Sequence, residues 1–324
     1  MMSHIPSKKS RVAVDGVLLL DKAAGGSSND ALVKAKRLLN AKKAGHTGTL
    51  DPFATGLLPL CFGEATKFAQ DLLDADKTYE TVVHLGVRTS TGDTEGEIVA
   101  TGAVNVSDAA IEAVLQQLRG PIRQIPPMHS ALKRDGKPLY EYARAGITLE
   151  REARAVTIHH LECLAYRAPY LSLRVTCSKG TYIRVLGEDI GAALGCGAHL
   201  QALRRTQVGS LTLAGAVTLE QLAAAAETER RALLAPVDAL LSSFPIVRLN
   251  DRLAQRFLHG QRLALGTEEV CLPSCEGRVR VYHAQTGQLL GTAQLQPYSV
   301  LAPERLVAAV DRAATPCASG IVPG

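Results

Sequence analysis

The sequence predicts an α+β fold built on a mixed, largely antiparallel sheet. Two segments, Tyr79 to Val87 and Tyr170 to Cys177, alternate polar and apolar residues as half-buried strands do. Between them lies a segment with apolar residues at helical spacing, namely Ile111, Val114, Leu115 and Leu118. Strands and helices follow one another without a regular strand–helix–strand rhythm, which favours a mixed sheet over a parallel one.

Length and composition predict a large domain followed by a smaller one. The chain has 324 residues, of which 46% are hydrophobic and 21% charged, as in ordinary globular proteins. No apolar stretch is long enough to span a membrane, and the first residues lack the apolar core of a secretion signal, so a cytoplasmic location is expected. The seven cysteines are typical of reduced thiols, although the close pair Cys271 and Cys275 leaves a structural zinc site open.

The first fifty residues predict a buried strand and a helix in a basic segment. Val12 to Leu20 is apolar enough for a buried strand, and Ser27 or Ser28 can cap the helix that follows. This part of the chain has nine Lys or Arg residues against three Asp, while the whole chain has a net charge of +5. Such a concentration suits a polyanionic substrate such as RNA, although a solvated helix face would also explain the basic residues of the helix.

The segment from Gly45 to Pro59 places one carboxylate, that of Asp51, among glycines, hydroxyls and His46. Pro52 restricts the residue before it to an extended backbone, and the glycines permit close approach of a ligand. These features are typical of an active-site loop. The alternative is that Asp51 caps a helix and Pro52 is its first residue.

A basic, proline-interrupted segment from Arg119 to Arg154, here called the flap, is predicted to be an insertion over the substrate. It has eight basic residues against four acidic ones. A flexible segment of this kind could become ordered on binding RNA.

The C-terminal part is predicted to form a small β-rich domain. Thr218 and Gln221 fit a capping box that opens a helix through Ala226, and Ser242 to Pro245 is typical of a linker. Two alternating segments, Arg278 to His283 and Leu289 to Leu295, then suit a compact barrel. The predicted divisions are 1–245, 246–312 and a loose tail at 313–324.

Gly45 to Pro59 resembles the catalytic signature of the bacterial tRNA pseudouridine-55 synthases, the TruB family. Five other stretches resemble family motifs in the same order, namely Gly16–Lys22, Lys77–Tyr79 with Leu85–Gly86, Pro126–Lys133, Ser178–Arg184 and Gly197–Arg205. The similarity spans roughly residues 11 to 312, which is far more than a chance motif match.

The resemblance implies an enzyme that isomerises uridine 55 in the T-loop of tRNA to pseudouridine on a flipped-out nucleotide. Asp51 matches the catalytic aspartate, and its role as nucleophile or base stays open. The flap then corresponds to a thumb that grips the T-arm stem-loop, and the C-terminal domain to a PUA-like RNA-binding module. No cofactor or metal is implied, and a monomer is expected.

The same resemblance implies roles for other residues. Arg184 is the expected ion-pair partner that lowers the pKa of Asp51 and fixes its orientation. Tyr79 is expected to stack on the uracil, with a possible role as base. The other expected contacts of the nucleotide are Tyr182 and Leu203, which line the pocket, and His46, which meets the displaced nucleotide. Five cations are expected to contact phosphates or the scaffold, namely Lys22, Lys67, Lys133, Arg204 and Arg205.

The sequence departs from the family pattern at three positions. Ala23 replaces a proline, His129 a tyrosine, and Ser90 an aspartate that often precedes Asp93. None of these changes removes a catalytic group, so they put only loop rigidity and flap contacts in doubt.

Two other functions compete with this assignment. His160-Leu161-Glu162 supplies half of a zinc deaminase signature, but no Pro-Cys-x-x-Cys completes it. A non-catalytic tRNA-binding or tRNA-folding protein would also need a basic flap and a terminal RNA-binding module. The presence of Asp51, Tyr79 and Arg184 together argues against the loss of catalysis.

Overall fold

The computed structural model describes residues 10–307, which form parts of two compact units, Met1–Leu240 and Leu241–Gly324. Each unit has its own hydrophobic core. The division lies five residues before the predicted boundary, and the predicted tail at 313–324 falls outside the described residues. No helix within residues 10–307 has the length and apolar character needed to cross a membrane.

The elements of the first unit are β1 (Gly16–Lys22), α1 (Ser28–Leu38), β2 (Ala44–His46), β3 (Thr55–Phe62), α2 (Ala69–Asp74), β4 (Lys77–Leu85), β5 (Val87–Thr89), β6 (Ile98–Thr101), α3 (Asp108–Leu118), β7 (Gly120–Gln124), β8 (Lys133–Arg134), β9 (Lys137–Pro138), α4 (Leu139–Arg144), β10 (Arg154–Arg167), β11 (Tyr170–Cys177), α5 (Ile183–Ala193), β12 (Ala198–Val208), β13 (Leu211–Thr212) and α6 (Leu219–Ala224). Short 3-10 turns lie at Gly63–Phe68, Arg230–Leu233 and Val237–Leu241.

A nine-stranded sheet organises the first unit. Its order is β1-β3-β12-β4-β11-β10-β7, with β2 paired to β3 and β13 paired to β12. Every pairing in it is antiparallel except that of β3 with β12, which is parallel. The predicted mixed, largely antiparallel sheet is therefore confirmed.

One face of this sheet carries both the core under α5 and the candidate site residues. Tyr79 on β4 pairs with Arg205 on β12, and two residues along β4 Thr81 pairs with Leu203. Since side chains alternate along a strand, these residues share a face with Val83 and Leu200. A Cβ at Gly187 of α5 would lie 2.6 Å from the Leu200 side chain, so glycine lets the helix pack closely on this face.

The predicted helix starts are confirmed, and some predicted ends are wrong. The hydroxyl of Ser27 caps α1, and Thr218 and Gln221 form the capping box of α6. That helix ends at Ala224 rather than Ala226. The strand predicted from Val12 begins only at Gly16, because Asp15 turns aside to accept a hydrogen bond from the Glu64 amide.

Two other predicted segments have different bounds in the structure. The strand predicted from Tyr79 to Val87 runs from Lys77 to Leu85 and is broken by Gly86, which has a φ of +83°. The ends of the flap belong to the main sheet, because β7 pairs with the start of β10. Only the residues between them form the insertion, as the β8–β9 hairpin and α4.

The second unit consists of β14 (Ile246–Leu249), α7 (Asp251–Leu258), β15 (Leu263–Ala264), β16 (Gly277–His283), β17 (Leu289–Gln296), a 3-10 turn (Pro297–Ser299) and β18 (Val300–Leu306). These strands form one five-stranded sheet in the order β14-β16-β17-β18-β15. The two predicted alternating segments correspond to β16 and β17.

Candidate active site

A pocket of about 220 Å³ lies on the α5 side of the main sheet. Its lining residues are Thr49, Leu50, Asp51, Tyr79, Ser130, Ala131, Thr181, Tyr182, Ile183, Arg184 and Leu203. The fold therefore brings together five residues that the sequence singles out, namely Asp51, Tyr79, Tyr182, Arg184 and Leu203. The pocket is smaller than those that hold drug-sized ligands, as a single-base site would be.

The loop that carries Asp51 is a tight turn and does not begin a helix. The amide of Ala54 donates to the carbonyl of Asp51 at 3.1 Å, and β3 begins at the next residue. The helix-cap alternative is therefore wrong. Lys22, only 3% exposed, donates from Nζ to the carbonyls of Asp51, Pro52 and Ala54 at 3.4, 3.1 and 2.8 Å. Its charge holds this loop, so Lys22 serves the scaffold rather than a phosphate.

Arg205 fixes the other side of the same loop. Its guanidinium is buried and donates to the carbonyls of Leu57 at 2.8 Å and Gly48 at 3.1 Å. Gly56 crosses β12 so closely that a Cβ there would lie 2.2 Å from the carbonyl oxygen of Arg205, and its φ is +100°. Only glycine fits at this close contact between β3 and β12. The contact places the turn around Asp51 over the end of the sheet.

Arg184 pairs with the carboxylate of Asp51, as predicted. Its Nε donates to Oδ2 at 2.9 Å, while its other nitrogens donate to the carbonyls of Thr91 at 2.8 Å and His129 at 2.7 Å. The side chain is 3% exposed, and the buried Asp93 carboxylate lies 3.6 Å from Nε. Arg184 is thus held by three separate loops, and its direction toward Asp51 is fixed before any substrate arrives.

The pKa of Asp51 is shifted in the opposite direction to the one expected. Burial raises it, and Arg184 counteracts that shift without cancelling it. Asp93 raises the pKa further, and Lys22 lowers it. One third of the Asp51 side chain stays exposed, so the carboxylate remains accessible. The site holds a carboxylate that is ion-paired yet costly to ionise, and such groups are common at catalytic positions.

The two pocket tyrosines are protonated phenols at neutral pH. Burial raises the pKa of Tyr79 above its ordinary value, and Arg205 opposes the shift. Burial likewise raises the pKa of Tyr182, whose main chain exchanges two hydrogen bonds with the side chain of Gln124 at 3.0 and 3.3 Å. The raised pKa disfavours Tyr79 as a base in the resting protein, and its place in the pocket suits stacking on a base.

His46 lies on β2 and is not among the residues that line the pocket. Its Nδ1 is buried and makes no hydrogen bond to any residue between 10 and 307. Burial lowers its pKa and Arg205 lowers it further, so the imidazole is neutral at pH 7. The residue as a whole is only partly buried, so a contact between the exposed part of its ring and a displaced nucleotide stays a prediction.

The remaining predicted cations lie outside the pocket. Arg204 forms two hydrogen bonds with the carboxylate of Asp21, at 3.0 and 2.7 Å, and Lys67 pairs with Glu64 at 2.7 Å. Both pairs serve the scaffold. Lys133 is exposed on the β8–β9 hairpin, where it is available to a partner.

Three site residues have no role predicted from the sequence, namely Asp93, Gln124 and Ser130. Asp93 and Ser130 lie within or beside family-like stretches, which was the one available signal for them. His129, which stands where the family often has tyrosine, contacts Arg184 through its main-chain carbonyl and not through its side chain. A change of side chain at this position therefore leaves that contact in place.

The residues of the deaminase alternative are not assembled into a metal site. His160 and Glu162 contact each other at 3.4 Å on exposed positions of β10. Glu162 contacts Arg174, which in turn pairs with Glu80. Glu80 follows Tyr79 on β4 and points to the other face of the sheet, so His160 and Glu162 lie on the face opposite Tyr79. Within residues 10–307 no three His, Cys, Asp or Glu side chains come close enough to hold a metal ion.

Comparison with family models matches nearly the whole described chain. Residues 36–183 match the "TruB family pseudouridylate synthase (N terminal domain)". Residues 184–242 match the "tRNA pseudouridylate synthase B C-terminal domain", and residues 245–307 match "Pseudouridine synthase II TruB, C-terminal".

Individual proteins are similar over the same extent. The chain is 64% identical to tRNA pseudouridine synthase B of Ralstonia pickettii, over 93% of this chain and 97% of the relative. It is 65% identical to the protein of the same name from Ralstonia nicotianae, over 93% and 96%. A chain in the crystal structure of a Cbf5-Nop10-Gar1 complex superposes with a TM-score of 0.70 and 27% identity, over 90% of this chain and 84% of the other.

Proposed function

The chain belongs to the TruB family of pseudouridylate synthases, and we propose that it isomerises uridine 55 in the T-loop of tRNA to pseudouridine with Asp51 as the catalytic group. The names of its relatives support tRNA as the substrate. The observation that carries the assignment of Asp51 is its position: a partly exposed carboxylate, ion-paired to buried Arg184, in a pocket with two tyrosines.

The reaction breaks the bond between N1 and C1′ of uridine, turns the uracil within the site and joins C5 to C1′. A proton leaves C5 and N1 gains one, so the composition of the nucleotide is unchanged and no redox step occurs. Asp51 acts on the nucleotide either as a nucleophile or as a base, and both roles need an ionised carboxylate at a fixed position. Arg184 supplies that position and offsets part of the cost of ionisation.

The pocket supports a flipped-out base rather than a base in a helix. Tyr79 and Leu203 provide flat and apolar surface for the uracil, and Tyr182 closes the side of the pocket toward the flap. His46 lies on the strand before the Asp51 loop, where the exposed part of its neutral ring can meet the nucleotide that fills the place of the extruded base.

RNA binding is assigned to two further parts of the chain. We infer that the flap contacts phosphates of the T-arm through exposed cations of its hairpin. The second unit, residues 246–312 in the predicted division, is inferred to be a PUA-like RNA-binding module. The enzyme is inferred to act as a monomer in the cytoplasm, and this inference rests on the family alone.

The direct test is to incubate the protein with an unmodified tRNA transcript and map pseudouridine at nucleotide resolution. We expect modification at position 55 and none in a matched transcript with cytidine there. Binding of the transcript without any pseudouridine would instead favour the non-catalytic tRNA-binding or tRNA-folding alternative.

A further inference from the structure

Ser130 is a buried pocket residue whose hydroxyl has no hydrogen-bond partner in the described part of the chain. It is 6% exposed, and its Oγ makes no hydrogen bond to any residue from 10 to 307. It lines the same pocket as Asp51 and Leu203. An unpaired buried hydroxyl is unfavourable for folding, so native proteins seldom retain one without a use.

The main chain around Ser130 is held firmly, so its side chain stays beside the pocket. Its amide donates to the carbonyl of Met128 at 2.9 Å, and its carbonyl accepts from the amide of Tyr140 at 3.1 Å. The preceding residue, His129, accepts from Arg184. The hydroxyl can still turn among the staggered rotamers about the Cα–Cβ bond and reach the pocket without backbone motion.

The phenol of Tyr182 is close to Ser130 but does not satisfy it. Burial raises the pKa of that phenol and the nearby Ser130 hydroxyl lowers it, yet the two oxygens do not meet hydrogen-bond geometry. Ser28 shows the contrast within the same unit. It is also buried, but its hydroxyl exchanges hydrogen bonds with the main chain of Leu50 at 2.8 and 3.0 Å.

Uracil has a symmetry that suits one fixed hydroxyl donor. Turning the ring about the axis through N3 and C6 exchanges N1 with C5, which is the change that the isomerisation needs. The same turn exchanges the two carbonyl oxygens, O2 and O4, and both are acceptors. A donor beside one carbonyl before the turn therefore finds the other carbonyl in its place afterwards.

We propose that the Ser130 hydroxyl donates a hydrogen bond to a carbonyl oxygen of the extruded uracil, to one carbonyl before the ring turns and to the other after it. Ser130 is then a base-holding residue that keeps the detached ring in register with C1′. The proposal rests on the proposed function and adds a specific contact to it.

The test uses chemically synthesised T-arm stem-loops with uridine, 2-thiouridine or 4-thiouridine at the target position. Sulfur is the weaker acceptor. With saturating enzyme in single turnover, Ser130→Ala should slow the uridine substrate about tenfold, while the Kd for the stem-loop stays within about twofold. Ser130→Thr, which keeps the hydroxyl, should restore most of the rate.

The thio substrates separate direct contact from indirect support. Each thio substrate should react more slowly than uridine with the wild-type protein. With Ser130→Ala this difference should largely disappear, because the variant has already lost the hydrogen bond that the sulfur would weaken. Thio effects of the same size in both proteins would overturn the proposal. A second result would also overturn it: Ser130→Ala and Tyr182→Phe slow the reaction equally, the double variant is no slower than either one, and the thio substrates still slow Ser130→Ala as much as the wild type. Ser130 would then act only by supporting Tyr182.

Two controls keep the result interpretable. Thermal unfolding should show Ser130→Ala at least as stable as the wild type, because the change removes no hydrogen bond and takes away an unpaired buried hydroxyl, whereas Ser28→Ala should be destabilised. If the wild-type protein makes no pseudouridine in the uridine stem-loop, the proposed function fails. If it does and Ser130→Ala matches its rate, only the role of Ser130 fails.

Discussion

The pocket around Asp51 and the hairpin of the flap both carry positively charged side chains, but they hold that charge differently. In the pocket, the guanidinium of Arg184 is 3% exposed and bonded to three loops. On the hairpin, Lys133, Arg134 and Lys137 are exposed. A fixed, buried charge can favour a transition state, whereas a solvated charge mainly attracts phosphates. Pocket variants should therefore change rate, and hairpin variants affinity.

The largest difference between the effect on rate and the effect on affinity is expected from Arg184→Gln. This change removes the ion pair with Asp51 while keeping a polar side chain, so the single-turnover rate at saturating RNA should fall about 100-fold or more. The Kd for tRNA should change by less than about threefold, because Arg184 is not exposed to phosphates. A loss of affinity as large as the loss of rate would remove the distinction between the two regions.

Two glycines test whether the pocket scaffold is the more tightly packed region. Gly56→Ala should lower the free energy of unfolding by about 3 kcal/mol, because the new methyl group meets the Arg205 main chain. Gly136→Ala is the matched control on the hairpin, since its φ is also positive, at +80°, but a Cβ there would meet no atom within 4 Å. Gly136→Ala should cost about 1 to 2 kcal/mol of backbone strain. Because the hairpin can open locally, this cost should affect the hairpin more than the free energy of global unfolding.

Neutralising the hairpin tests the other side of the comparison. Replacing Lys133, Arg134 and Lys137 together by alanine should weaken tRNA binding about tenfold or more and reduce the slope of log Kd against log salt by about 2 to 3. A control with the same charge change at exposed Arg88, Arg167 and Arg231 should lose less. Equal slopes in the two triple variants would mean that the hairpin does not meet phosphates.

The smallest expected effect is a shift in pH dependence. If ionised Asp51 is required, the single-turnover rate falls as pH decreases through its raised pKa, above the ordinary value for aspartate. Asp93→Asn should move this acid limb to lower pH, because Asp93 raises that pKa. His46→Gln, measured in parallel, identifies any limb that belongs to the histidine. An acid limb that Asp93→Asn leaves in place would contradict the assignment.

The sign of the stability effect is opposite to that of the rate. The folded protein binds the Asp51 proton more tightly than the unfolded chain does, so this group lowers the free energy of unfolding as pH rises between the two pKa values. The catalytic form of Asp51 is thus the less stable form of the fold.

The parts of the site predicted from sequence are those that lie in short, continuous motifs. The loop around Asp51 and the partnership with Arg184 could be predicted because each lies within one family-like stretch. The role of Lys22 stayed open between phosphate and scaffold, and only the three carbonyls around its Nζ identify it as part of the scaffold.

The parts that could not be predicted depend on contacts between distant segments. Gln124 meets Tyr182 across 58 positions, and Asp93 meets Arg184 only because separate loops converge. The pKa of Asp51 was predicted in the wrong direction because a charged partner can be inferred from a motif, whereas the degree of burial is a property of the folded chain. Element ends failed for a similar reason, as at Gly86, where one backbone conformation breaks an otherwise continuous strand pattern.

The catalytic role of Asp51 is best tested by a paired measurement on Asp51→Asn with one tRNA transcript, in which the Kd and the single-turnover rate of pseudouridine formation are determined together. The side chain keeps its size and loses its charge, so we expect binding within about threefold of wild type and no detectable pseudouridine at position 55. Substantial pseudouridine formed by Asp51→Asn would mean that Asp51 is not the catalytic group.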